Sequence, residues 1–206
     1  MVLDSYRDKA DSLLLPMAER MKHVNPNTIS WVAFLCAVFA GVFFWLGDIT
    51  SLFFALVFLV LNSVLDALDG KVAKITGKAS PKGDFLDHVL DRYADIFIVG
   101  GILLSPSYNP ILAFFAMIGV LMTSYLGTQA MAVGAGRDYG GMIGRADRLV
   151  ILMLFCLIQI IASAAGYYSL DFGQFEINYI DIAMLIFAIG GNATAIQRGV
   201  KAWRKL

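Results

Sequence analysis

From Ile29 to Leu46 the chain runs through aromatic and aliphatic residues without one charge, and further long apolar runs follow to the C-terminal end. In a bilayer such a run must satisfy every backbone N–H and C=O internally, so it folds as a helix. The composition agrees, with 59% hydrophobic and only 16% charged residues and a mean hydropathy of +0.72. Soluble domains rarely show that balance; polytopic membrane proteins do. The expected fold is all-α: a polytopic membrane protein with six transmembrane helices at about 29–46, 51–75, 81–104, 111–133, 147–165 and 180–200. One domain covers 1–206.

Residues 1–22 place Leu3, Tyr6, Ala10, Leu13, Met17 and Met21 at helical spacing among charged residues. This predicts an N-terminal amphipathic helix on the membrane surface, bent at Pro16, and too polar for a secretory signal. The run from Asn25 to Ser30 predicts a turn with Asn27 or Thr28 capping the first span. Ser80 followed by Pro81 predicts the start of the third, and the breaker-rich run Ser105–Pro110 its end. Cys36 and Cys156 lie in apolar runs without a partner motif and read as buried small hydrophobes.

Charge orders the spans. All 16 Lys and Arg fall on or near the side that holds both termini and the second and fourth links; the opposite links carry Asp48, Asp171, Glu176 and Asp181. By the positive-inside rule both termini are cytoplasmic. A net charge of zero offers no field for nucleic acid.

Four aspartates interrupt the second and third spans: Asp66 and Asp69 three apart, Asp87 and Asp91 four apart. Each pair projects from one helix face, so two adjacent helices would present four carboxylates to one point at the cytoplasmic edge. Carboxylates so crowded either take up protons or hold cations, and hard divalent ions bound through oxygen suit them best. Gly70, Ala73 and Gly83 are small positions beside them that leave room for a ligand to approach the backbone. Asp84 and Asp95 share the third helix's acidic face, Asp95 as a partner for a polar group. His88 points off that face and reads as a packed or interfacial histidine rather than a ligand, and His23 has no assigned role. Aspartates in spans also serve as interhelical glue, pair with Arg92 or Lys71, or line the path of a divalent cation transporter.

Read by its fixed positions, the stretch is Asp66, two residues, Asp69–Gly70, two residues, Ala73–Lys74, eight residues, Gly83, three residues, Asp87, three residues, Asp91. This resembles the signature of the CDP-alcohol phosphotransferase family, with every spacing matched and Lys74 standing where the family usually has arginine. The resemblance implies two Mg2+ or Mn2+ ions held by Asp66, Asp69, Asp87 and Asp91, and CDP of an activated lipid bound along Gly70, Ala73, Lys74 and Gly83. It makes Asp91 the base on the acceptor hydroxyl, in a homodimeric integral enzyme of the cell membrane with its site facing the cytoplasm. Lysine keeps the charge at position 74 but loses the planar fork of arginine.

After the fourth span, GAGRDYGGMIGRADR carries Arg137, Arg145 and Arg148, the last two on one face of a helix start. They read either as a phosphate pocket, with Gly134, Gly136, Gly140, Gly141 and Gly144 folding the backbone around a ligand, or as an ordinary cytoplasmic basic cluster. The run IGRADRLVILML resembles the phosphatidylinositol phosphate and archaetidylinositol phosphate synthases. That resemblance implies inositol phosphate as acceptor, with Arg145, Arg148 and Arg198 holding its phosphate. SYLGTQA (Ser124–Ala130) lacks the lysine and arginine that bacterial members carry, which favours an acceptor of the archaeal type or another phosphorylated polyol; glycerol phosphate, serine or another polyol phosphate are the alternatives.

Overall fold

The computed structural model describes residues 7–136, 140–171, 173 and 176–206. Its helices are α1 (Arg7–Arg20), α2 (Pro26–Leu46), α3 (Ile49–Ile75), α4 (Pro81–Leu104), α5 (Pro110–Ala132), α6 (Arg145–Ala164) and α7 (Tyr179–Trp203). Between α6 and α7 a two-residue strand β1 (Leu170–Asp171) pairs antiparallel with β2 (Glu176–Ile177). The ribbon departs from the expected all-helical fold, since two residues per strand carry no period in the sequence. Its reversal is aided by Gly173, at φ +80°, whose N–H donates to Asp171 Oδ1 at 2.7 Å.

Helix α2 starts earlier than expected: Asn25, not Asn27 or Thr28, caps it by accepting from the Asn27 N–H, and Pro26 occupies the first turn. Asp48 caps α3 and Ser80 caps α4, where its Oγ accepts from the Gly83 N–H at 3.2 Å. Helix α6 also starts early, at Arg145. The Gly144 N–H donates to Asp147 Oδ2 at 2.9 Å, tying the first turn down.

α2, α3, α5, α6 and α7 are long and apolar enough to cross a membrane. Their outward faces expose large apolar side chains, among them Leu35, Phe39, Trp45, Phe53, Phe114 and Ile189. A continuous belt of this kind is untenable in water and at home against lipid tails, as befits an integral membrane protein. Helix contact depends instead on small residues. Gly41 of α2 and Gly101 of α4 meet backbone to backbone, and a Cβ on either would overlap main-chain atoms. On α5 and α7, Thr123 Oγ1 sits 2.7 Å from Gly119 O and 2.8 Å from Gly191 O, locking a second close crossing. Phe44, Leu59, Ile102, Met184 and Phe187 fill the space between.

Helix α1 runs through Pro16 to Arg20 and rests on α3 through Leu14, Ala18 and Met21, beside Leu65, Leu68 and Val72. Met17, expected on the apolar stripe, is exposed because the docked face lies one position round the helix. Leu3 and Tyr6 lie outside the described residues. Cys36 and Cys156 are buried among apolar neighbours, as read.

Candidate active site

The C-terminal half of α3 and the N-terminal half of α4 carry the aspartates, and both helices pack along α2, which brings their acidic faces together. Carboxylate oxygens of Asp66, Asp69 and Asp87 lie within 4.8 Å of one another, and so do ligand atoms of Asp87, His88 and Asp91. Asp87 belongs to both sets, so the arrangement is two adjacent three-donor sites sharing one carboxylate. Oxygen-rich donors at this spacing fit hard divalent cations. Ser30 of α2 donates from Oγ to the buried Asp69 Oδ2 at 2.5 Å, fixing one carboxylate from across the interface.

Arg145 enters the same cluster from the first turn of α6. Its Nη1 lies 2.6 Å from Asp66 Oδ2 and 2.7 Å from Asp91 Oδ1. Four aspartates against one guanidinium would, if all were ionised, leave three negative charges in a partly buried site, to be offset by bound protons or further cations. Beside it, Asp95 takes Arg92 Nη1 at 3.0 Å and Arg148 Nη2 at 3.2 Å.

The acidic row divides two clefts. One, about 180 Å³, is lined by Asn27, Asp69, Gly70, Lys74, Lys78 and Gly83. A Cβ at Gly70 would meet nothing within 4 Å, so that backbone is open to a ligand. At the end of α3, Gly77 at φ +66° reverses the chain, the Lys78 N–H returns to Ala73 O at 3.0 Å, and Lys78 reaches the cleft that Lys74 already lines. The other cleft, about 770 Å³, opens between α4 and α5 and is lined by His88, Asp91, Ser124, Thr128, Arg145 and Arg198, with Phe85, Tyr93 and Tyr125 at hand. Asp91 and Arg145 border this larger cleft, whereas Asp69 and Asp87 border the smaller.

A model of the CDP-alcohol phosphatidyltransferase family matches residues 23–190, most of the chain. This chain is a CDP-alcohol phosphatidyltransferase. Among relatives, the archaetidylinositol phosphate synthase of Pyrococcus horikoshii is 30% identical over 183 residues, 89% of this chain and 86% of that one. The crystal structure of Mycobacterium tuberculosis phosphatidylinositol phosphate synthase with CDP-DAG bound has the same fold, with a TM-score of 0.75 at 23% identity over 93% of this chain and 94% of that one. The same mycobacterial enzyme in complex with manganese and citrate also gives 0.75, at 23% identity over 92% and 88% of the two chains.

In this phosphatidyltransferase the residues singled out in the sequence do not all converge. Asp66, Asp69, Asp87 and Asp91 do, and Gly70, Ala73, Lys74 and Gly83 line the smaller cleft beside them. Arg145 and Arg198 reach the larger cleft, the latter oriented by bonds from Nε to Gly140 O at 2.9 Å and from Nη1 to Thr123 O at 2.7 Å. Arg148 is buried against Asp95 and does not line that cleft; it braces the transferase's α4 against α6. Arg137 lies outside the described residues.

Two expectations need correction. His88 does not point away: it borders the larger cleft, with ring nitrogens 3.8 Å from Asp84 Oδ1 and 3.9 Å from Asp87 Oδ2. Gly141 serves the fold, since its backbone closes on Thr194, whose Oγ1 accepts from the Met142 and Ile143 N–H groups. Ser30 and Lys78 were not foreseen. Ser30 lies 39 residues from its partner, while the Gly77 turn signal would have found Lys78.

Proposed function

We propose that this phosphatidyltransferase transfers a phosphatidyl-type group, diacylglycerol or archaeol phosphate, from a CDP-lipid to a hydroxyl of inositol phosphate and releases CMP. The observation that carries the reading is the acidic row between two clefts, with Asp91 and Arg145 bordering the larger. The names of the archaeal and mycobacterial relatives support the donor and acceptor.

Asp66, Asp69, Asp87 and Asp91 would hold two Mg2+ or Mn2+ ions, which neutralise the donor pyrophosphate and the charge that builds on departing CMP. Gly70, Ala73 and Gly83 admit the nucleotide, and Lys74 and Lys78 face its phosphates. Arg145 and Arg198 hold the acceptor phosphate, while Ser124 and Thr128 offer hydroxyls to the polyol. Asp91 takes the proton from the acceptor hydroxyl as that oxygen bonds to the lipid-side phosphorus. The phosphorus–oxygen bond to CMP then breaks, and the electron pair leaves with CMP.

In this reading α4 is the sixth span, α1 lies at the interface, and residues 1–206 form one domain. Both termini and the site face the cytoplasm, as the basic residues favour, and the enzyme works as a homodimer. Purified protein given CDP-lipid, Mg2+ or Mn2+ and labelled inositol phosphate should release CMP and label the lipid. Release supported by glycerol phosphate, serine or free inositol, but not by inositol phosphate, rejects the acceptor.

A further inference from the structure

Asn62 stands one helical turn before Asp66 on α3 and is only 1% exposed. Its Nδ2 donates to Ala33 O of α2 at 2.9 Å, but its Oδ1 meets no hydrogen-bond partner among the described residues. The Nε of Arg145 is likewise buried and unpartnered. Both residues line one small cavity of about 10 Å³, together with Asp66 and Asp91. Buried polar atoms seldom stay unpaired, and a polar cavity of this size accommodates one water.

We propose that a resident water bridges Arg145 Nε–H and Asn62 Oδ1, which makes Asn62 a positioning residue for Arg145. The water accepts from the guanidinium, donates one hydrogen to Asn62, and has Asp66 or Asp91 for the other. The bridge has a mechanical purpose. A single atom, Nη1, serves both Asp66 and Asp91, and a guanidinium held there alone pivots about that atom. Restraining Nε fixes its plane, and with it the distance between the Asp66 and Asp91 carboxylates. The hydrogen bond from Asn62 to α2 holds the amide in the orientation this needs.

The inference rests on reading the acidic row as the reaction centre, so its test has two parts. In protein carrying 15N-labelled arginine, with the Nε–H signal assigned through Arg145→Lys, Asn62→Leu should shift that signal upfield and Asn62→Ser should hold it near its original position. An unmoved signal in Asn62→Leu overturns the bridge, whatever the enzyme's substrates prove to be. In turnover, Asn62→Leu should lower kcat about tenfold while changing KM for CDP-lipid by less than about twofold, without lowering the melting temperature. Asn62→Ser, which retains a polar oxygen for the water, should recover most of that loss. Unchanged kcat in Asn62→Leu, or equal losses in both variants that follow the melting temperature, rejects the positioning role.

Discussion

Arg145 Nη1 lies 2.7 Å from Asp91 Oδ1, joining the first turn of α6 to the acidic face of α4. The same atom holds Asp66 of α3, so one guanidinium links three helices at the point where two clefts adjoin. Arg145→Ala should cost about 2–3 kcal/mol of stability in metal-free detergent solution, less than for a fully buried pair because the side chain is 20% exposed. Adding Mn2+ should raise the melting temperature of the variant by more than that of the native protein, because cations replace the lost positive charge. Equal shifts would mean that the carboxylates do not share Arg145 with the cations.

Lys78 and Lys74 both border the smaller cleft. Lys78→Ala should raise KM for the CDP-lipid about fivefold with kcat nearly unchanged, as loss of one charge-assisted contact at an open site would. Steady-state rates at varied donor concentration measure this, and an unchanged KM would remove Lys78 from the donor site.

The α2–α4 crossing admits no side chain at Gly41, where a Cβ would overlap the carbonyl of Phe97. Gly41→Leu should destabilise the protein by about 3 kcal/mol or more, read as the midpoint of thermal unfolding in detergent. Gly70→Ala, at a position where a Cβ meets nothing, should leave that midpoint in place and weaken donor binding instead.

On the opposite side, the carboxyl of Asp48 is held below its usual range chiefly by the hydroxyl of Ser51, with the Ser51 and Thr50 N–H groups adding to it. A lowered pKa stabilises the fold above the unfolded value of 3.8, and the contribution is lost as pH falls through the lower folded value. Asp48→Ala should therefore melt lower than the native protein at pH 5 and pH 7 alike, with the gap closing below 3.8. A gap as wide at pH 3 as at pH 7 would contradict the assignment.

The parts of the site that were legible in the sequence are those set by local geometry. Spacings of three and four placed the aspartate pairs on single helix faces, and Ser80–Pro81 marked the start of α4. The rest depends on contacts distant in sequence. Arg145 comes from 79 residues beyond Asp66, so its charge read as a phosphate ligand while its pairing with two aspartates stayed hidden. Arg148 carried the same signal as Arg145, and burial against Asp95 gave it a different task. His88 was misjudged because a helical wheel treats α4 as isolated, whereas the wide cleft against α5 leaves that flank open.

The central claim is that Asp91 takes the acceptor's proton while the rest of the acidic row serves the donor. Single-turnover transfer from CDP-lipid to labelled inositol phosphate by Asp91→Asn, alongside equilibrium binding of the CDP-lipid, tests it most directly. Transfer should fall roughly a hundred- to ten-thousandfold with donor affinity largely kept. Near-native transfer, or loss of transfer only in step with donor binding, would contradict it.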